Sequence, residues 1–246
     1  MNTQIKESEL KDHSVVALNV WLAASAQLLV KEKELTRMRD EVARQRRALP
    51  WTRVEQDYVF HGPDGDVNLS ELFGGKSQLI IYHAMWGPND DSPCPGCSFV
   101  MDHVDAARLR FQQHDIAFAA VSRAPIGHFV EFKKRMGWKF RWLSSDGTSF
   151  NFDYDVSFRR EELEKGDVRY NFKMQKLRGE EQPGLSSFYQ NEKGEVFRTY
   201  STYERGLDML LGAYNFIDLT AKGRNEASAM EWIPENWIEI HDQDKD

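Results

Sequence analysis

Two short apolar runs, residues 79–82 (Leu-Ile-Ile-Tyr) and 116–121 (Ile-Ala-Phe-Ala-Ala-Val), flank an amphipathic stretch at 99–111. Continuous apolar runs of this length read as strands covered on both faces. Two such strands joined by a helix predict a right-handed parallel βαβ unit, and so an α/β fold. The junction between the first strand and the helix holds both cysteines of the 246-residue chain, Cys94 and Cys97, with only Pro95 and Gly96 between them. A dithiol where a strand hands over to a helix is a place for redox chemistry.

The rest of the chain elaborates this unit. Within 99–111, Phe99, Val104, Leu109 and Phe111 are candidate core contacts. Residues 126–136 read as a second helix stopped by Gly137, and 140–143 as a third strand. Residues 185–189 and 196–200 flank Asn191, Glu192, Lys193 and Gly194, a hairpin with glycine available for positive φ. Residues 204–217 carry Leu207, Leu210, Leu211, Tyr214 and Ile217 and predict a closing helix. Upstream, 54–60 alternates loosely before a Gly62–Asp66 turn and a short helical piece at 69–73. Phe150, Phe152, Tyr154, Val156 and Phe158 alternate with polar residues, which predicts an extended segment whose aromatic face fills core or lines a stacking groove. Residues 159–182 are highly charged without a clean period and read as a surface insertion. The order is that of a thioredoxin-like fold, a central mixed sheet flanked by helices.

Ahead of that domain, residues 15–49 predict one long helix. Trp21, Leu28, Leu35, Val42 and Leu49 recur every seven residues, supported by Leu18, Leu22, Leu29 and Met38. Lys31 and Gln45 interrupt one possible second seam, and Ser25, Glu32, Arg39 and Arg46 fill the other, which argues against a long free coiled coil. The helix is read first as packed on its own domain and second as a dimer-forming arm. Pro50 ends it. The expected organisation is an N-terminal helical extension (1–50), a thioredoxin-like domain (51–222) with the charged insertion near 159–182, and a C-terminal tail (223–246). In the tail Trp232, Trp237 and Ile238 are expected to dock on the body.

Net charge is −7, with 39 acidic against 32 basic residues, which argues against nucleic acid or an anionic membrane as partner. No apolar run approaches the roughly 20 residues of a spanning helix, and the first residues lack a signal-peptide apolar core. Cytoplasm is the expected location. In a reducing compartment a thiol pair is catalytic or metal-binding more often than a structural bridge.

With Cys94 at the helix N-terminus, Pro95 suits the first helical position, where no N–H is needed. The free N–H groups and helix dipole favour a Cys94 thiolate, and Cys97 lies one turn on along the same face. Asp90 and Asp91 oppose the thiolate if they lie close. The implied cycle is attack by Cys94 on a protein or small-molecule disulfide, then resolution by Cys97. His83, at the end of the first strand, and Arg123, in the loop after the second, are candidates for tuning the site or binding substrate. Zinc is the competing use of a C-x-x-C pair, with His83, His103 and His114 as possible further ligands, but none has a firm ligand spacing. The redox reading needs no metal or cofactor. An inert pair on a non-catalytic binding protein is the other alternative.

Several blocks carry a resemblance: 49–53 (Leu-Pro-Trp-Thr-Arg), Tyr82-His83, 94–98 (Cys-Pro-Gly-Cys-Ser), 122–125 (Ser-Arg-Ala-Pro), 135–138 (Arg-Met-Gly-Trp), Ser144-Ser145, Phe150-Asn151, 200–203 (Tyr-Ser-Thr-Tyr) and Arg205-Gly206. Together they resemble a bacterial thioredoxin-like family, domain of unknown function 899, from about the middle of the first helix to Gly223. The resemblance implies a thioredoxin-like fold and a dithiol–disulfide oxidoreductase. Thioredoxins place a cis-proline before the hairpin; Pro183 is the candidate here, and Leu185 or Ser186 are the alternatives for that position. A more distant similarity to peroxiredoxins rests on 94–98, which resembles their Thr-Pro-Gly-Cys-Thr, and on 62–66, 68–72 and 187–194. It implies a thiol peroxidase with Cys97 as the peroxidatic residue.

Overall fold

The computed structural model describes residues 13–224, and an eight-stranded sheet organises them. Helix α1 (Leu18–Arg47) stands ahead of it, followed by β1 (Thr52–Arg53), β2 (Val59–Gly62) and β3 (Gly65–Asn68). Then come β4 (Gln78–His83), α2 (Pro95–Gln113), β5 (Ile116–Ser122), α3 (Ile126–Met136) and β6 (Arg141–Ser144). Two short helices, α4 (Phe150–Asp153) and α5 (Arg160–Lys165), lead to a separate hairpin, β7 (Val168–Tyr170) and β8 (Lys173–Gln175). The chain returns to the sheet as β9 (Gly184–Gln190) and β10 (Val196–Tyr203) and closes with α6 (Gly212–Ile217).

β4, β5 and β6 are parallel neighbours joined by α2 and α3. β9 runs antiparallel to β4 and to β10, giving the order β1-β10-β9-β4-β5-β6-β2-β3. This mixed sheet with its alternating helices is the thioredoxin-like arrangement. Alternation along each strand divides the core in two. Tyr82 and Ala120 face α2 and α3, where they meet Cys97, Met101, Phe129 and Trp142. Leu79, Ile81 and Val121 face the other way, toward Phe60, Phe73, Phe150 and Tyr154. Gly184 lies where β9 passes between two bodies of side chains: a Cβ there would stand 2.9 Å from both Tyr203 and Val156.

Five expectations change. Residues 150–153 are helical rather than extended, and further on Ser157 alone pairs, in a bridge to Glu181. Phe150 and Tyr154 are one helical turn apart and share a face as well in α4 as they would in a strand, and both are buried against Tyr58. The charged stretch 159–182 is not a bare surface insertion, because its hairpin turns Val168 and Tyr170 inward while Arg169 faces out. Strands of three residues are too short for that alternation to be read as a period. The closing helix is broken at Leu211, where ψ is 83°, and the turn lets the Ala213 N–H reach His103 Nε2 at 2.9 Å. On α2, Val104 is buried and Phe99 and Phe111 pack against the core as expected, but Leu109 is exposed; Cys97, Val100 and Met101, spaced three and four residues from one another and from Val104, complete the buried stripe.

The fifth change concerns α1. None of its residues is buried, so it does not pack along its own domain. Contact with the body is made at its C-terminal end, where the Arg46 guanidinium lies 5.4 Å from the Tyr200 ring centroid and Nη2 reaches Met209 Sδ at 3.8 Å. Trp232, Trp237 and Ile238 lie outside the described residues. Among the described residues no helix is long and apolar enough to cross a membrane.

Candidate redox site

The segment after β4 is stitched to the end of β5 before it reaches the cysteines. The Ala84 N–H donates to Val121 O at 2.9 Å, and Ser122 Oγ donates to Ala84 O at 2.7 Å. The N–H groups of Arg123 and Ala124 both donate to Trp86 O, at 3.1 and 2.8 Å. The Trp86 ring is buried among Phe129, Phe132 and Trp142, and its indole N–H donates to Asp90 O at 2.9 Å. Met85 then clamps both cysteines: its carbonyl accepts the Cys94 N–H at 3.1 Å, and its own N–H donates to Cys97 Sγ at 3.3 Å.

Cys94 is the N-cap residue of α2 and Pro95 opens the helix, where a missing N–H leaves nothing unsatisfied. The first turn of α2 carries no acidic side chain. Asp90 is engaged in its own turn, accepting the Gly87 N–H on Oδ2 at 2.7 Å. Cys94 is half-buried and Cys97 fully buried. Hydrogen bonding from the Cys97 thiol lowers the pKa of Cys94 and the N–H groups of Cys97 and Gly96 add to it, against the opposing effect of burial. Burial pushes Cys97 well above the ordinary thiol range, and the neighbouring Cys94 pushes it the same way. One sulfur therefore favours the thiolate and the other holds its proton.

Two phenols missed in the sequence lie within reach of the dithiol, Tyr82 on the same face of the sheet as Cys97 and Tyr170 in the cluster on the other face. The Tyr82 hydroxyl is buried without a hydrogen-bond partner, and its nearness to Cys97 works to favour a thiolate there, against the larger effect of burial. Tyr170, from the β7–β8 hairpin, lies within electrostatic range of Cys97 and donates to Pro183 O at 2.7 Å. Tyr82 could have been found by alternation, since the strand residue facing α2 must be 80 or 82. Tyr170 had no local signal, because the hairpin that delivers it is fixed by tertiary packing.

The other candidates are placed as follows. His83 does not join the site. It faces away from the cysteines, stacked 5.4 Å from Phe150, with Nε2 3.0 Å from Ser186 Oγ. Burial, helped by Arg198, lowers its pKa to about 3, so it is neutral. Arg123 pairs with Glu181, Nη1 to Oε1 at 2.8 Å, and its guanidinium lies 4.4 Å from the Phe152 ring centroid. Glu181 also accepts from Ser157 Oγ at 2.6 Å, and its Cγ lies 3.3 Å from where a Gly87 Cβ would be. The ion pair thus sits against the loop that leads to the dithiol. Pro183 is buried immediately before β9, and because Gly184 pairs with His83 it stands level with Ala84. All described peptide bonds are trans. His103 is satisfied on both nitrogens, by Phe99 O and by the Ala213 N–H. Among the described residues no group of three His, Cys, Asp or Glu side chains could hold a metal ion. Beside the dithiol a cleft of about 660 Å³ is lined by Met85, Gly87, Asp90, Leu163, Arg178 and Glu181.

A family model described as "Bacterial protein of unknown function (DUF899)" matches residues 10–244. No curated protein matches the chain. Among solved structures the chain is similar to peroxidoxin BcpB from Mycobacterium tuberculosis, at 14% identity and a TM-score of 0.42 over 68% of this chain and 96% of that one. It is also similar to peroxiredoxin Q from Xanthomonas campestris, at 16% identity and 0.41 over 66% and 96%. PrxQ from Xylella fastidiosa gives 13% identity and 0.43 over 68% and 94%.

Proposed function

The chain belongs to the bacterial DUF899 family, and from that premise we propose that it is a thiol–disulfide oxidoreductase with Cys94 as nucleophile and Cys97 as resolving thiol. The observation that carries this reading is the asymmetry of the pair: a half-buried, thiolate-favouring sulfur at the helix N-cap, over a buried sulfur that holds its proton one turn below. The Cys94 thiolate attacks one sulfur of a substrate disulfide. A Cys94–substrate disulfide forms, and the first substrate thiolate leaves and takes a proton from water. Cys97 then loses its proton and attacks Cys94 Sγ, which expels the second substrate thiolate and leaves a Cys94–Cys97 disulfide. Two electrons pass to the substrate, and an external thiol reductant returns them to the pair. A protein or small-molecule disulfide would approach over the cleft bordered by Met85.

The peroxidase alternative requires Cys97 to meet peroxide as a thiolate. Its burial and retained proton favour the resolving role instead.

A redox titration tests the reading. The expected result is a reversible two-electron couple within the roughly −120 to −270 mV range of thiol oxidoreductases. A pair that glutathione buffers cannot oxidise and reduce would sink it, and rapid sulfenic acid formation on Cys97 in a Cys94→Ser variant would replace it with the peroxidase.

Tyr82→Phe isolates the resolving step. The buried Tyr82 hydroxyl has no other partner and is free to donate to the thiolate that forms on Cys97 during resolution; a hydrogen bond to a charged group contributes about 1.5–3 kcal/mol, so decay of the mixed disulfide should slow by about ten- to a hundredfold. Attack by Cys94 should keep its rate. Stopped-flow measurement of the two phases separates them, and equal slowing of both would mean that Tyr82 only shapes the core.

A further inference from the structure

Helix α1 spans about 45 Å at 1.5 Å per residue, and none of its 30 residues is buried. Its apolar side chains Trp21, Leu22, Leu28, Leu29, Leu35 and Met38 are between 45% and 60% exposed. Helices in proteins owe most of their stability to an apolar face packed on something else, and among the described residues the body meets α1 at its last turns. Among the described residues nothing covers that face.

The charges on α1 specify what fits it. Trp21, Leu28, Leu35 and Val42 form one row seven residues apart, and Ala24, Lys31, Met38 and Gln45 the row three residues on. On this register Glu34 and Glu41 stand just before the first row, and Arg39 and Arg46 just after the second. In a parallel pair of helices each residue before the first row faces the residue five positions further along the other helix. Glu34 then meets the partner's Arg39, and Glu41 meets the partner's Arg46 once that guanidinium leaves Tyr200 and Met209, twice each by symmetry; the one like-charge contact on the seam is Lys31 against the partner's Lys31, in the second row. Glu34 and Glu41 now hold Lys31 and Arg44 of their own helix in exposed ion pairs, which exchange at little cost. An antiparallel pair instead turns the glutamates toward each other.

We propose that α1 is the interface of a parallel homodimer, in which the Trp21–Leu28–Leu35–Val42 row packs on the same row of a second copy. The surface is self-complementary, as a twofold interface requires. Lys31 and Gln45 interrupt the second row and keep the pair weaker than a fully apolar zipper. The helices run side by side and carry both bodies at the same end, beyond Arg47. This assembly is independent of the dithiol reading.

The test uses the full chain and analytical ultracentrifugation. The expected mass is twice that of the chain at tens of micromolar. Leu28→Glu with Leu35→Glu should return a monomer whose Cys94 alkylation rate is unchanged, since neither side chain touches the body. Glu34→Arg alone and Arg39→Glu alone should each weaken self-association by about tenfold, as two symmetry-related contacts turn from attraction to repulsion. Mixed in equal amounts, these two variants should form a heterodimer. A monomeric parent chain, or a dimer that survives Leu28→Glu with Leu35→Glu, overturns the proposal. Failure of the two charge variants to associate on mixing overturns the parallel arrangement.

Discussion

Replacing Cys97 by serine should leave the substrate covalently trapped on Cys94, whereas replacing Cys94 by serine should drop disulfide exchange to the uncatalysed background. The first step needs only a thiolate that a substrate can reach, and Cys94 is the half-buried sulfur at the N-terminus of α2. The second step needs Cys97, and a serine oxygen cannot take its place in a disulfide. The same pair of sites yields a sharper measurement. Cys94 is favoured as a thiolate chiefly by the Cys97 thiol, with the N–H groups of Cys97 and Gly96 adding less. Cys97→Ser keeps a donor at that position and Cys97→Ala removes it. The Cys94 pKa, followed by thiolate ultraviolet absorbance, should therefore stay below the free-thiol value of about 8.5 in the serine variant and move toward it in the alanine variant. In both, the helix N-terminus still acts. Retained exchange in Cys94→Ser would reverse the two roles, and identical Cys94 titrations in the serine and alanine variants would remove Cys97 from the account of its acidity.

What could be read in advance, and what could not, follows from the range of each signal. The βαβ unit was readable because residues 79–82 and 116–121 are apolar on both faces, a pattern that few environments other than the centre of a covered sheet produce. The Cys94 cap was readable because Pro95 and the following amphipathic turn are local. Adjacency in sequence makes His83 a candidate for tuning the site, yet adjacent strand residues point to opposite faces, and the face toward α2 belongs to Tyr82. Residues 150–158 satisfied period two and the spacing of one helical turn at once, and packing around Phe150 decided between them. Glu181 and Tyr170 had no readable role, because only the folded hairpin and the short bridge between Ser157 and Glu181 bring a charged stretch beneath the dithiol loop.

Arg123→Met should destabilise the protein by an amount that depends on pH. Glu181 is buried, and burial raises its pKa to about 7 even though Ser157 and Arg123 both pull it down. The short Arg123–Glu181 contact suits the ionised carboxylate, while the raised pKa says that burial outweighs it; both hold if the carboxyl changes state close to neutral pH. The folded pKa lies above the ordinary carboxylate value of 4.5, so the folded state binds the extra proton between about 4.5 and 7. That contribution to stability is complete below pH 4.5 and is lost as pH rises through 7. Without Arg123 the folded pKa rises further. At pH 5 the carboxyl is neutral in the folded parent and variant alike, and the substitution should be nearly silent. At pH 8.5 the parent holds a paired carboxylate, and the variant must keep a proton against the solution or bury an unpaired charge. Stripping one partner from a buried ion pair costs about 3–5 kcal/mol, which for a chain of this size is a fall in Tm of about 6–20 °C. Thermal unfolding of parent and variant across pH 5 to 8.5 measures the difference directly. Adding Glu181→Gln to Arg123→Met should recover most of the loss at high pH, because no buried charge is left to strand. A loss of equal size at every pH would mean that Arg123 acts through its packing on Phe152 and that the charge of Glu181 has no part in holding the loop beneath Cys94.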